Sequence, residues 1–485
     1  MGAAVRRQWT RRGSPATERR ANLAPVNARP PIAGARRPSR RRRLIGGWTT
    51  ALIVVVAAGC GSKAVVRDEA AISASEKQAP TFPRSTALFL AQEDLPSAAA
   101  LAKSDVVVID SEWAHRQPRS FFAQIRRLNP TVRLLAYVNI VDRPRSIGSR
   151  GYYANRYDLW QFDDRGRSKL PVGWLARTAS GEQLSQYPGT DMTNIMGTVG
   201  GRRFADYAVD WMVRRVWRSG VWDGLFLDVW GDRVYNTTRD AWDVDGDGTD
   251  EPNSAIFGPG KPWEQAISNA ESRLRREIPK ALIVVNGSRT LSGDRLDGRV
   301  WESFSDPVKE RDPRVDLRDY VTVASAPGHR LPGMQITINR LPQGGPLDQT
   351  DYRRARSFLT GTLLQNGYWA SAGVDYDEIV TYDEIDGGGR GRGYLGRAIV
   401  PSPTWSQVSG TFRGGIGRVS GKLYRRDFTG GIVLHNAGDE AKTVKLEGPY
   451  RRLKGRQDPS TNSGEQVTTV TIPPQDGLIL VRGGG

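Results

Sequence analysis

Val221-Trp-Asp-Gly-Leu-Phe-Leu-Asp-Val-Trp-Gly-Asp232 is the stretch on which the fold turns. Asp223-Gly224 is a turn signal, and Leu225-Phe226-Leu227 is a short apolar run of buried-strand type. Asp228 follows at once, where a parallel strand would emerge from a barrel or an open sheet. An unpaired buried charge is too costly to serve as core filling. In a (β/α)₈ barrel the C-terminal strand ends carry the chemistry, which makes Asp228 a candidate catalytic or substrate-binding carboxylate. Capping the next helix, or pairing with a nearby Arg, is its alternative role.

The same grammar recurs outward from this point. Ala87-Leu-Phe-Leu90 reads as a first strand, and Val106-Val-Val-Ile109 runs into Asp110-Ser-Glu112-Trp113. Leu134-Leu-Ala-Tyr137-Val-Asn139 is a third, and Leu282-Ile-Val-Val285 leads into Asn286-Gly287. Val300-Trp301 leads into Glu302, Met334-Gln-Ile-Thr-Ile338 into Asn339-Arg340, and Gly367-Tyr368-Trp369 into Ser371. With the Asp228 run this gives eight strands, nearly all apolar and then polar at the C-terminal end. That repetition, with amphipathic stretches between, predicts an α/β (β/α)₈ TIM barrel over residues 86–400. Phe204, Ala208, Met212 and Val216 recur every four residues as a core-facing helical stripe before the Asp228 strand. Ser357–Gln365 predicts another helix, before the last strand.

Past Pro401 the texture changes. Alternation in Lys422-Leu-Tyr-Arg425, Gly431-Ile-Val-Leu-His435, Val467-Thr-Thr-Val-Thr-Ile472 and Gly477-Leu-Ile-Leu-Val481 predicts a small all-β sandwich domain over 401–485. The Gly-rich run from Tyr382 to Gly396 reads as a flexible lid over the active face or as a long disordered connector.

Of a formal charge of +18, residues 1–43 supply +12, from 13 Arg against the single acid Glu18. The basic excess therefore belongs to a disordered tail, and the folded part shows no nucleic-acid footprint. Residues 44–60 read as a secretory apolar segment ending in Ala57-Ala58-Gly59-Cys60, which resembles a bacterial lipobox. Cys60 is the one cysteine in the chain, so no intramolecular disulfide can form. Lipidation of Cys60 and a tether over 61–85 predict an exported protein held on the outer face of the cell membrane, and a monomer.

Histidine occurs only at His115, His329 and His435, which argues against a histidine-rich zinc site. Cys60 is taken by the anchor, and no nucleophile elbow or phosphate loop precedes a helix. Carboxylates, amides and aromatics at strand ends remain, the inventory of a glycosidase, in which two carboxylates act as acid and as nucleophile or base. Asp228 and Glu302 form the preferred pair, because each follows apolar strand residues directly. Asp110 and Glu112 could also serve at the site. Tyr137, Asn139, Asn286 and Asn339 could hydrogen-bond sugar hydroxyls. Trp230, with Trp113, Trp301 and Trp369, could stack on pyranose faces or pack in the core.

Asp243-Val-Asp245-Gly-Asp247-Gly248-Thr-Asp250-Glu251 matches the opening of an EF-hand-type loop, with Ser254 where the bidentate Glu would stand. Asp243, Asp245, Asp247 and Glu251 are the candidate calcium ligands, and a solvated acidic turn is the alternative. Such a cation would order a loop of the active face rather than do chemistry.

Asp223-Gly-Leu-Phe-Leu-Asp228, Val285-Asn286-Gly287, Trp301-Glu302 and Arg426-Asp-Phe-Thr-Gly-Gly-Ile-Val-Leu-His-Asn436 together resemble the glycoside-hydrolase-like TIM-barrel proteins of hypothetical glycosyl hydrolase family 15. The resemblance runs from about Thr86 to the C-terminus. It implies polysaccharide hydrolysis with catalytic carboxylates at strand ends, matched here by Asp228 and Glu302. In well-known retaining barrel enzymes the two carboxylates follow strands four and seven; here the second follows the sixth. A non-catalytic carbohydrate-binding lipoprotein on the same scaffold is the competing expectation.

Overall fold

The computed structural model describes residues 80–483 apart from 149, 151, 288–294, 303–312, 326–332 and 342–343. The basic tail, the apolar segment, Cys60 and the tether up to residue 79 lie outside the described residues, as does His329.

Eight parallel strands close into a barrel: β1 (Ser85–Phe89), β2 (Val106–Asp110), β3 (Arg133–Asn139), β4 (Gly224–Asp228), β5 (Leu282–Val285), β6 (Gly298–Glu302), β7 (Met334–Arg340) and β8 (Tyr368–Ala372). β8 returns to β1 with Ser85 opposite Trp369, which completes the circle. Each of the eight expected runs falls on one strand, so Glu302 does sit on the sixth. Between them lie α1 (Ala98–Leu101), α2 (Arg119–Leu128), α3 (Ala154–Trp160), α4 (Phe204–Trp211), α5 (Pro262–Glu277), α6 (Pro313–Ser325) and α7 (Gln349–Thr362).

Both faces of these strands are buried, which is why they read as continuous apolar runs rather than as alternation. Leu88, Val108, Leu135, Phe226, Val284, Val300, Ile336 and Ala370 fill the barrel axis, one cluster drawn from all eight strands. Their neighbours in sequence, such as Ile109, Ala136, Leu225, Leu227 and Val285, face the helices. The stripe Phe204, Ala208, Met212 and Val216 is buried throughout, although the helix widens into a π turn at Met212–Val216.

The C-terminal region is an antiparallel six-stranded sheet: β9 (Ile416–Ser420), β10 (Leu423–Phe428), β11 (Gly431–Asn436), β12 (Lys442–Arg452), β13 (Gln466–Ile472) and β14 (Asp476–Arg482), in the order β9-β10-β11-β14-β12-β13. One face packs Val433, Ile479 and Val481 against α7 with Phe358 and Leu359. The other encloses its own cluster of Leu434, Val444, Tyr450, Val470 and Leu480. A shift of register between Lys445 and Tyr450 bends β12 so that the sheet wraps this cluster.

α7 is therefore sandwiched between barrel and sheet. It begins at Gln349, eight residues before the predicted start at Ser357, behind a reciprocal Asp348–Asp351 capping box. Gly477 of β14 lies so close to it that a Cβ there would stand 1.9 Å from Thr360 Oγ1.

Both expectations for Tyr382–Gly396, a flexible lid or a disordered connector, are corrected. Arg392 Nη1 of this segment donates to Asp105 Oδ1 at 2.5 Å, and Asp105 immediately precedes β2. Leu395 and Gly396 exchange backbone hydrogen bonds with Phe82, ahead of β1. The segment thus runs across the face opposite Asp228, as an ordered connector. Among the described residues no helix is long and apolar enough to cross a membrane.

Candidate active site

Strand phase decides which polar residues reach the barrel mouth. Side chains alternate along a strand, so a residue two places beyond an axis-filling residue also points inward. Counting from Val108, Phe226, Val284, Val300 and Ile338 brings Asp110, Asp228, Asn286, Glu302 and Arg340 to the rim. Tyr137 and Asn139 share the inward phase of Leu135, and Asn139 stands opposite Asp228 in register.

Asp228 is partly buried and accepts three hydrogen bonds. The Tyr137 hydroxyl donates to Oδ2 at 2.5 Å, Asn286 Nδ2 to Oδ1 at 3.0 Å, and the Val229 N–H to Oδ1 at 2.9 Å. Burial pushes its carboxyl up to about 6, helped by the charge of Glu302 and opposed by these donors. Glu302 is exposed; its Oε2 accepts from the same Asn286 Nδ2 at 3.3 Å, and its Oε1 accepts from the Tyr376 hydroxyl. One amide nitrogen thus touches both carboxylates, so those two oxygens are at most 6.3 Å apart, within the range of separations used in glycoside hydrolysis.

Two backbone features hold this arrangement. Val229 and Tyr376 sit at φ +53° and +57°, a left-handed conformation that is costly for a β-branched or bulky side chain. Asn286-Gly287 owes its glycine to close approach: a Cβ on Gly287 would lie 2.6 Å from the Trp230 carbonyl. The Trp230 N–H donates to the Asn286 carbonyl at 2.7 Å, which locks the two strand ends together.

Several expected site residues serve other ends. Trp230 is only 1% exposed and its Nε1 donates to Glu271 Oε1 at 3.2 Å, so it has no open ring face for a sugar. Burial holds the Glu271 carboxyl up at about 7. Trp113 and Trp369 are likewise buried, and Trp301 donates from Nε1 to Gln335 with Arg299 stacked over its ring. Asn339 has the wrong phase: it faces outward, is buried, and bonds Ser371 Oγ. Asn139 closes a turn, donating to Asp142 Oδ2 at 2.8 Å and accepting from the N–H groups of Val141 and Asp142.

Asp110 is buried and paired with Arg156, with Gln92 Nε2 donating at 3.0 Å. Glu112 is fully buried; its carboxylate accepts the N–H groups of Asn155 (3.1 Å) and Arg156 (2.5 Å), in the first turn of α3. Burial, with the neighbouring Asp110 charge, pushes it up to about 7. These two acids anchor a helix from outside it and are not free for substrate.

The acidic loop brings Asp243, Asp245 and Asp247 together, with one carboxylate oxygen from each within 4.8 Å of the others. Glu251 stays outside that group and accepts the Val244 N–H at 2.9 Å. The loop packs on the β3–α4 insertion: Asp250 Oδ1 accepts the Ala179 N–H at 2.6 Å, and Asn194 Nδ2 donates to the Val244 carbonyl at 2.7 Å.

Two tyrosines of this face carry no strand or helix phase in the sequence. Tyr187 and Tyr235 stack with ring centroids 6.4 Å apart, in the β3–α4 and β4–α5 loops respectively. Tyr187-Pro188-Gly189 carries a turn signal that could have exposed the first. Arg340, at the rim over the Tyr376 ring, was readable from phase alone.

The sequence profile of hypothetical glycosyl hydrolase family 15 matches residues 126–432. No curated protein matches the chain. Among solved structures, the glycoside hydrolase domain of PelA from Pseudomonas aeruginosa is 16% identical, with 61% of this chain and 96% of that one covered and a TM-score of 0.36. An isomaltulose synthase from Erwinia rhapontici is 10% identical, covering 83% and 98%, with a TM-score of 0.44. An Anoxybacillus alpha-amylase is 9% identical, covering 79% and 88%, with a TM-score of 0.40. The profile match begins at α2 and ends in β11, a narrower span than the Thr86-to-C-terminus resemblance expected. Spanning well over half of the chain, it makes this protein a member of hypothetical glycosyl hydrolase family 15.

Proposed function

We propose that the protein is a glycoside hydrolase acting on O-glycosidic bonds of a polysaccharide, with Asp228 as nucleophile and Glu302 as acid and base. The observation that carries this reading is the single amide of Asn286 in contact with both carboxylates. An upper bound of 6.3 Å on that oxygen pair accommodates the ~5–5.5 Å separation of retaining enzymes. Asp228 is fixed on both oxygens by neutral donors, as suits a group that must attack from one position. Glu302 is exposed, so water can reach it for the second step.

In the first step Asp228 attacks the anomeric carbon while Glu302 protonates the departing glycosidic oxygen, leaving a glycosyl ester on Asp228. In the second, Glu302 takes a proton from water, which attacks the same carbon and frees Asp228. Asn286 and Tyr137 orient the pair. The test is product stereochemistry on a hydrolysed glycan: release of the retained anomer supports the assignment, and the inverted anomer overturns it. Binding without any turnover by the wild type would favour the carbohydrate-binding reading instead.

The clustering of Asp243, Asp245 and Asp247 supports a calcium ion in that loop, in a role of ordering the wall beside the mouth. The sequence around Cys60 supports export and a lipid anchor on the outer membrane face. A Cys60→Ala chain found in the soluble fraction agrees with that, and one recovered with membranes does not.

A further inference from the structure

The β3–α4 and β4–α5 loops rise beside Asp228 and meet at one clamp. Asn139, opposite Asp228 in register, donates to Asp142, and Asp142 Oδ1 accepts Gln186 Nε2 at 2.8 Å. Gln186 Oε1 in turn accepts the N–H of Tyr235 at 2.7 Å, and Gln186 itself is buried. The backbones that carry Tyr187 and Tyr235 are thereby pinned to each other and to β3. Ser185 Oγ and Thr190 Oγ1 both donate to the Tyr187 carbonyl, at 2.6 and 2.9 Å, and hold that turn rigid.

Yet the rings so carefully placed are not buried. Tyr187 is 44% exposed and Tyr235 78% exposed, stacked at an interplanar angle of 21°. Tyr187 flanks one side of Tyr235 and leaves most of that ring to solvent. Neither hydroxyl makes a hydrogen bond within the protein among the contacts of the described residues, so each is open to a ligand. The Tyr187 hydroxyl lies within electrostatic reach of Asp142, Asp228 and Glu302, whose charges add to burial in pushing it up to about 12. Through Asn139, opposite Asp228 in register, the clamp puts the stack on the barrel face that carries the carboxylate pair.

We propose that the Tyr187–Tyr235 stack is a sugar-binding platform, on whose open Tyr235 face one pyranose ring of an oligosaccharide lies flat while the chain continues to Asp228 and Glu302. This rests on the glycosidase reading of that pair. A pyranose presents a face of C–H groups with slight positive charge, and an aromatic ring presents a negative face, so the two stack while the sugar hydroxyls stay wet at the edge. A rigid platform loses little conformational entropy on binding, which is the use of the Gln186 clamp. The ligand class is a chain of several pyranose units, since one residue on the platform and another at the carboxylates must be bridged.

The experiment uses full-length Asp228→Asn protein, so that bound sugar is not cleaved, and saturation-transfer NMR with cellohexaose, maltohexaose and hexa-N-acetylchitohexaose. The expected result is transfer to the ring C–H protons of at least one hexaose. Tyr235→Ala in the same background weakens that binding about tenfold, while Tyr235→Phe stays within about twofold. Tyr187→Ala, which removes the backing ring, falls between them. No transfer to any of the three sugars overturns the platform, and so does equal affinity in Tyr235→Ala with an unchanged melting curve. The wild type is then incubated with the same hexaoses. Tyr235-dependent binding without cleavage keeps the platform and removes the glycosidase reading; cleavage with binding that ignores Tyr235 does the reverse.

Discussion

The barrel mouth and the junction between α7 and the C-terminal sheet both gather charge, but they treat it in opposite ways. At the junction Arg356 is buried and matched: it grips Asp476 through Nε and Nη2 at 3.1 and 3.0 Å and Asp458 through Nη1 at 2.5 Å. At the mouth Asp228 and Glu302 share neutral donors, and among the described residues no cation pairs with either. Matched charge fixes an interface; unmatched charge, held by a scaffold that tolerates it, is available for reaction.

The largest test of that contrast is Asp228→Asn beside Glu302→Gln. Each is expected to lower turnover by ~10²–10⁴-fold while the melting temperature holds or rises, because a charge crowded by another has been removed. A matching fall in stability would make the mouth a second junction. Next comes Arg356→Met, which strands Asp458 and Asp476 and is expected to cost about 3–5 kcal/mol in urea unfolding with turnover per folded molecule unchanged. A cost below about 1 kcal/mol would show that the junction's charges carry little weight.

Tyr137→Phe is a finer probe. Losing that donor disfavours ionised Asp228, so its pKa climbs further above about 6. The acid limb of kcat/KM should then shift to higher pH, with about a tenfold loss at pH 6 and a nearly unchanged melt. An unmoved acid limb removes Asp228 from that titration.

Glu271→Gln tests stability against pH. A carboxylate raised to about 7 in the fold from an ordinary 4.5 binds its proton more tightly when folded than when unfolded. Stability from this group is therefore full below about pH 4.5 and is lost as pH rises towards 7. The amide should match wild type at pH 4.5 and melt higher at pH 8; parallel curves would contradict the shift. Smallest is calcium: millimolar calcium is expected to add about 1 kcal/mol, removed by Asp245→Ala with Asp247→Ala. Identical melts with chelator and with calcium would sink it.

The barrel was legible because parallel strands covered on both faces must be apolar throughout and can turn polar only where they emerge. Phase refines the same signal: Asp228, Asn286 and Glu302 stand two residues beyond axis-filling positions, and Asn339 does not. Trp230, Asp110 and Glu112 could not be read, because their tasks are set by Glu271, Arg156 and the α3 amides, distant in sequence. Tyr187 and Tyr235 lie in loops without periodicity, where only a clamp such as Gln186 gives them a place.

The grip of the sheet on α7 also imposes an order in time. α7 directly precedes β8, the strand that closes the barrel, yet the carboxylates that hydrogen-bond Arg356 lie 102 and 120 residues further along, and the more distant Glu384, at 3.9 Å, also follows β8. A chain still on the ribosome, with all eight barrel strands made, would hold a helix whose central guanidinium has no counter-charge and whose outer side is bare. Barrel closure is therefore expected to be coupled to addition of the last strand of the sheet. Nascent chains stalled between Ala372 and Asp476 are the ones a chaperone would hold longest.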